Sequence, residues 1–509
     1  MRNNIKPHPT LLSILIAAMW TPVTAWTAQL NFAQYPAGTA YKAPIPNVIL
    51  SVDTSGSMNF CDVNGEVIGN SNGTQSSNCY TNSLDLRRIT FVKNGLRSLL
   101  IDSNKYENQF RLAWQSFACN NIPSSDGNCN NDNAIGKFTS THRTNFGNWV
   151  NRLTATGSTP SPVLAWNAGK YLQTTGDNSP WNATPGTADS SPLACRRSYH
   201  IFLTDGGWNY TFNNAAVAGT SFETDMKIGT ITSKSSNTPD APSNTKTISN
   251  FDGKSIAALP TPATGSPYGI KAYSADNATA ETKIYRDAYG TRVVSTRASS
   301  GGWNPTYTYD YYAYPSMADI AFYFWATDLQ PNIPNGLIPK VRKTGTETFT
   351  SGNNSVTFSE YWNPKNDTAE WQHLTQYTIG YGTSAGNLPQ VNSTSPQWSG
   401  GTLNMYGAGF SSLAVGNTFW DDTTSSTADG SSATTGYDAV RPQEMWHMAI
   451  NSRGKFYPVT GGDLTAVFAD IFDDIIVDTT APVSGFTSAS GSVSRVGSQS
   501  FQTRYFCGR

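Results

Sequence analysis

The segment that most constrains this chain is Val48-Ile49-Leu50-Ser51-Val52, which runs directly into Asp53-Thr54-Ser55-Gly56-Ser57. A short, nearly continuous apolar run reads as a strand buried on both faces, the kind found in parallel sheets covered by helices. Where that run stops, one carboxylate and two hydroxyls follow at alternate positions. In open α/β sheets ligands bind beyond the carboxyl ends of the parallel strands, so this loop lies where a site is expected. Hard oxygen donors so spaced suit a small divalent cation such as Mg²⁺, which keeps some of its waters and needs few protein ligands.

Two further segments belong with the first. Thr156-Gly157-Ser158-Thr159-Pro160 is a turn with a hydroxyl just before a helical stretch from Ser161 to Leu172. Tyr199-His200-Ile201-Phe202-Leu203-Thr204 is a second apolar run, and it ends in Asp205-Gly206-Gly207. In this order the set Asp53, Ser55, Ser57, Thr159 and Asp205 resembles the metal-ion-dependent adhesion site (MIDAS) of von Willebrand factor A domains. The resemblance implies direct metal contacts from Ser55, Ser57 and Thr159, with Asp53 and Asp205 acting directly or through water. It implies Mg²⁺ as the ion, with Mn²⁺ or Ca²⁺ as alternatives.

The ends and the cysteines indicate export. Arg2 and Lys6 precede a mostly apolar Leu11 to Trp20, and Val23-Thr24-Ala25 offers a small-residue cleavage site, so residues 1–25 read as a signal peptide. That stretch is shorter than the roughly 20 apolar residues a membrane span needs, and no other segment qualifies. Six cysteines include two close pairs, Cys61/Cys79 and Cys119/Cys129, within Asn-, Ser- and Gly-rich sequence. In an oxidising compartment such pairs form disulfides that clip polar insertions. Zinc is the rival reading, but no Cys-x-x-Cys spacing or adjacent histidine favours it. Cys195 and Cys507 are left over. Charged residues make up 14% of the chain and the net charge is −1, so nothing electrostatic points to nucleic acid or an anionic membrane surface.

Strand-like and helix-like segments alternate as a doubly wound α/β sheet requires. Strands are expected at Val48 to Val52, Phe110 to Phe117, Ser198 to Leu203, Thr375 to Gly382 and Gly454 to Tyr457. Helices are expected at Leu84 to Ile101, Trp149 to Leu153, Ser161 to Leu172, Met317 to Trp325, Pro442 to Ile450 and Leu464 to Ile476. The expected organisation is an N-terminal segment 26–44 and one Rossmann-like domain over 45–478. Loop-rich insertions interrupt that domain at about 59–83, 118–142, 209–314, 330–371 and 383–439.

Longer segments narrow the resemblance. Cys195-Arg196-Arg197-Ser198-Tyr199-His200, Met317 through Leu329, Trp371-Gln372-His373-Leu374-Thr375 and above all Glu444-Met445-Trp446-His447-Met448-Ala449-Ile450-Asn451-Ser452-Arg453-Gly454 resemble the N-terminal region of the PilC/PilY family of secreted, type IV pilus-associated proteins. The resemblance implies a role in pilus assembly and adhesion. Its implied partners are the pilus tip or minor pilins and a host or surface receptor presenting an acidic residue. The chain would be exported to the pilus tip or outer surface, through the periplasm in transit. Family members continue into a large β-propeller. Here Phe501-Gln502-Thr503-Arg504-Tyr505 looks like its opening strand, so residues 479–509 are expected to be a linker and the truncated start of that domain, which makes Cys507 accidental and leaves Cys195 paired elsewhere or free.

The remaining candidates point away from catalysis. Asp126, Asn128, Asn130 and Asp132 alternate like a calcium loop, but Asn131 stands where the turn glycine belongs and Lys137 where the bidentate glutamate belongs. His373 and His447, beside tryptophans on packing segments, read as core residues. Asp470, Asp473 and Asp474 read as a solvated helix face. No zinc-protease pair or phosphate loop is present. The expected function is therefore adhesive and non-enzymatic, with a purely fold-stabilising metal or a metal-dependent hydrolase as alternatives.

Overall fold

A parallel strand covered on both faces must bury consecutive side chains, and Asn47–Val52 (β1) and Ser198–Thr204 (β4) are buried at every position. The computed structural model describes residues 44–206 (apart from 64, 65, 69–78, 82, 127 and 128), 231–235, 282–286, 292–296, 306–309, 317–382 (apart from 359, 361 and 362), 398, 399, 402–414 and 437–479 (apart from 460, 461 and 463). The expectations for the signal peptide, the N-terminal segment, Phe501 to Tyr505 and Cys507 lie outside these residues. No helix among the described residues is long and apolar enough to cross a membrane.

The other strands of the main sheet are Arg111–Ser116 (β2), Gly136–Lys137 (β3), Thr375–Tyr381 (β5) and Phe456–Val459 (β6). Their spatial order is β6-β5-β4-β1-β2-β3. Every neighbouring pair is parallel except β2 with β3. The chain thus builds outward from β1 on one side, then returns to build outward from β4 on the other. The crevice between β1 and β4 is the point of reversal, where such sheets open to ligands. Register fixes what faces what: Val52 aligns with Leu203, so Asp53 stands level with Thr204 and one residue short of Asp205.

Helices cover both faces. They are Arg88–Leu96 (α1), Ser140–Arg152 (α2), Ser161–Leu172 (α3), Met317–Ala326 (α4), Ala408–Ala414 (α5), Tyr437–Asn451 (α6) and Thr465–Thr479 (α7). On one face Val48, Leu50 and Val52 pack with Val92 and Leu96 of α1, Phe146 and Trp149 of α2, and Phe468 and Ile471 of α7. On the other, Ile49 and Phe202 pack with Leu164 and Trp166 of α3, Phe324 and Trp325 of α4, and Met445 and Trp446 of α6. Alternation of strand side chains between faces sorts these two sets, and each buried large apolar side chain contributes about 1.5–3 kcal/mol. Helices α3 and α4 meet so closely that a Cβ on Gly169 would lie 2.2 Å from the Phe324 ring.

One polar line crosses the core. Gln115 Nε2 donates to Ser51 Oγ at 2.7 Å, Ser51 Oγ bonds His200 Nε2 at 2.7 Å, and His200 Nδ1 lies 2.9 Å from Gln376 Oε1. Four adjacent strands are thereby tied at one level, although Gln115 Oε1 and Gln376 Nε2 have no partner among the described residues.

Several element limits differ from the sequence expectation. Helix α1 starts at Arg88 because Leu84–Asp85 pairs instead with Tyr80–Thr81. Helix α2 is 13 residues long, not a single turn, because its polar first turn is capped by Thr139 Oγ1, which accepts from His142 N. Strand β6 begins two residues later than expected. Gly454 is instead packed against β5, where a Cβ would strike the Gln376 carbonyl at 1.8 Å. Helix α6 begins at Tyr437 rather than Pro442.

Both expected disulfides are present, Cys61–Cys79 and Cys119–Cys129. Cys195 is also disulfide-bonded, which removes the free-thiol alternative. Within the 330–371 insertion, Glu347–Ser351 and Asn354–Phe358 form a hairpin that seats Phe349 against Phe410 of α5.

Candidate functional site

Asp53 extends the β1–β4 ladder by one bond, its N–H donating to Leu203 O at 2.9 Å. Its carboxylate is fully buried. Oδ1 accepts from Ser55 N at 2.7 Å and Oδ2 accepts from Thr204 Oγ1 at 2.6 Å. Gly206 N in turn donates to Thr204 Oγ1 at 3.1 Å, so the two strand ends hold one another. Ser55 keeps an extended backbone and the chain then tightens into a 3₁₀ turn over Gly56–Asn59. That bend brings Ser55 Oγ and Ser57 Oγ within 2.9 Å.

The Thr159 loop is bonded to the same turn. Thr156 N donates to Thr54 O at 2.8 Å, and Gly56 N donates to Gly157 O at 3.0 Å. Gly157 has φ +79°, a left-handed conformation that a Cβ would penalise. Thr159 is buried one residue before the Pro160 cap of α3. The five sequence-predicted residues therefore sit on three loops that converge at the switch point. Asp53, Ser55, Thr159 and Asp205 are buried, and Ser57 is half-buried.

Asp205 has the partner that sequence reasoning missed. Its Oδ2 accepts from Arg88 Nη1 at 2.9 Å, with both side chains buried. Arg88 opens α1, and its N–H donates to Phe60 O at 2.9 Å. Gly382, just past β5 at φ +109°, leaves room for the guanidinium, since a Cβ there would approach Arg88 Cζ to 3.1 Å. The other oxygen, Asp205 Oδ1, is buried with no hydrogen-bond partner among the described residues. A carboxylate oxygen in that condition is costly unless a cation or donor meets it.

The electrostatics agree. Burial, and then the nearby charge of Asp205, push the Asp53 carboxyl up to about 7. Two buried carboxylates and three hydroxyls form an oxygen-only donor set with excess negative charge, which fits a small hard divalent cation. Among the described residues no cluster of three or more His, Cys, Asp or Glu side chains could hold a metal, so any ion would rely on hydroxyl donors.

The other candidates resolve differently. His373 is buried, bonding Trp371 O through Nδ1 and Asp367 Oδ2 through Nε2, and His447 is buried in the core. The acidic run is exposed at Asp470 and Asp473 and half-buried at Asp474, and each acid also accepts from a tyrosine. Tyr457 donates to Asp470, Tyr106 to Asp473 and Tyr377 to Asp474, which pins α7 to the sheet side of the domain. Around Asp126 to Asp132 the chain makes tight turns, with Asn130 and Asn131 both left-handed.

Over 371 residues the chain is 31% identical to the type IV pilus biogenesis factor PilY1 of Pseudomonas aeruginosa strain PAO1, a match covering 72% of this chain and 23% of the relative. The same factor from strain PAK is 32% identical over 369 residues, with the same coverage. The chain is related to the PilC/PilY family. These relatives are named as pilus biogenesis factors, not enzymes, in line with the non-enzymatic expectation. The chain spans less than a quarter of the length of the curated relatives it matches. No family model matches it. Among solved structures, the pilus adhesin SpaC from Lactobacillus rhamnosus GG aligns at a TM-score of 0.31 and 12% identity, covering 87% of this chain and 32% of that one, a likeness that carries no argument.

Proposed function

We propose that this chain is an exported, pilus-associated adhesion and assembly module, a von Willebrand factor A-type domain that binds a divalent cation at Asp53, Ser55, Ser57, Thr159 and Asp205. The observation that carries the reading is Asp205 Oδ1, a buried carboxylate oxygen at the switch point without a partner among the described residues. Arg88 takes the other oxygen and so fixes the carboxylate plane. Asp53, held by Ser55 N and Thr204 Oγ1, contributes charge from the facing side. Ser55, Ser57 and Thr159 contribute neutral oxygens. Bound there, Mg²⁺ would supply a Lewis-acidic position, kept electrophilic by the neutral hydroxyls, suited to an acidic side chain of a partner. The partner classes are the pilus tip or minor pilins and a surface or host receptor bearing such a residue.

The burial of Asp53, Ser55 and Thr159 favours a second reading, in which the ion only stabilises the fold. Retention of the purified chain on a surface displaying glutamyl peptides separates the two. The adhesive reading expects retention in Mg²⁺, loss in EDTA and loss in Asp205→Ala. Equal retention in Mg²⁺ and EDTA contradicts it, and metal-dependent stability without retention selects the second reading.

A further inference from the structure

At the opposite ends of the strands from Asp53, two arginines are buried side by side. Arg111 opens β2 and Arg196 lies two residues before β4; each is only 3% exposed. Arg111 Nη1 donates to Pro180 O at 2.8 Å and to Asn182 O at 3.2 Å. Arg196 Nη1 donates to the same two carbonyls, at 3.5 and 2.7 Å. Asn47 Nδ2 adds a third donor to Pro180 O at 3.1 Å. Two guanidiniums that share two acceptors are close neighbours, and neither makes an ion pair with a described carboxylate. Among the described residues Arg111 Nη2 and Arg196 Nε are buried with no acceptor.

This arrangement is expensive as it stands. Arginine stays protonated in proteins, and each buried ion costs several kcal/mol unless an opposite charge meets it. Backbone carbonyls contribute only partial charge, and here the two cations also repel. The same strain pulls Arg111 down to about 10 through burial, and Arg196 to about 8 through burial and then the charge of Arg111. Donors on two nearly buried side chains at the ends of the strands that flank β1, with no described carboxylate to balance their charge, are the chemistry of an occluded anion site.

We propose that Arg111 and Arg196 bind a small inorganic monovalent anion of the halide type, which bridges Arg111 Nη2 and Arg196 Nε and holds the base of the sheet together. The site is independent of the cation reading. Enclosure selects against hydrated polyatomic anions, and the paired guanidiniums select against neutral ligands. Its effect is on folding: an anion that binds only the native state raises the unfolding temperature by mass action.

The test uses the full chain with chloride as probe. Thermal unfolding is followed as chloride replaces gluconate at constant ionic strength, beside Arg196→Gln. The expected result is a saturable rise of roughly 3–6 °C once chloride exceeds its midpoint a hundredfold, absent in Arg196→Gln. Because that variant could fail to fold, crystals of the parent soaked in bromide give a second readout. An anomalous peak within hydrogen-bonding distance of Arg111 Nη2 and Arg196 Nε supports the proposal. A water at that position, or unfolding curves identical in chloride and gluconate, overturns it.

Discussion

Replacing Asp53 by asparagine should stabilise the metal-free protein, and the effect should grow with pH. Asparagine keeps the oxygen that accepts from Ser55 N, and the Thr204 hydroxyl can turn to accept from the new amide. What disappears is a negative charge buried beside Asp205. The Asp53 carboxyl rises from 3.8 to about 7 on folding. An acid with a raised folded pKa holds its proton more tightly in the native state. Its contribution is therefore intact below about pH 4 and is lost as pH climbs through 7. At about 1.4 kcal/mol per tenfold change, the full loss is about 4 kcal/mol, an upper value because Asp205 shares the field. The parent's own pH curve hides this. Burial holds His200 down from 6.5 to about 4, so its stabilisation is present above pH 6.5 and lost as pH falls to 4, the opposite slope. The difference between parent and variant removes His200 from the comparison. In urea unfolding with EDTA, Asp53→Asn should gain roughly 2–4 kcal/mol on the parent between pH 4.5 and 8. Parallel curves across that range would refute the argument that the two carboxylates repel.

Three further outcomes follow from specific contacts. Gly169→Ala places a Cβ against the Phe324 ring and should cost about 1–3 kcal/mol in denaturant unfolding. Asp367→Asn removes the charge that accepts from His373, Arg197 and Trp325 within 3.1 Å; leaving Arg197 without its counter-ion should cost about 3–5 kcal/mol, read the same way at pH 7. Arg88→Lys keeps the charge but loses the planar group that orients Asp205, and calorimetry should show Mg²⁺ affinity falling about tenfold.

The central strands were legible because burial on both faces writes itself as unbroken apolar runs, as in β1 and β4. Their loops were legible because a carboxylate or hydroxyl at the end of such a run has few reasons to be there. Strand β3 was not, since two residues, Gly136 and Lys137, carry no period. The start of α2 was hidden in Ser140-Thr141-His142-Arg143, a polar turn whose helix is justified only by Phe146, Trp149 and Val150 further on. Arg88 left no trace either. It stands 117 positions before Asp205, and its role depends on the turn at Phe60 and the space beside Gly382, neither of which a spacing rule reaches. The acids of α7 face water at Asp470 and Asp473 as their sequence suggests, but their bonds to Tyr457 and Tyr106 leave no mark in the sequence.

The most direct test of the cation site is calorimetric titration of Mg²⁺ and Mn²⁺ into the purified full chain, beside Asp205→Asn and Thr159→Val. One saturable site in the parent, abolished in Asp205→Asn and weakened in Thr159→Val, is the predicted result. A folded parent that takes up neither ion, or variants that bind as the parent does, would contradict the assignment of these residues as metal ligands.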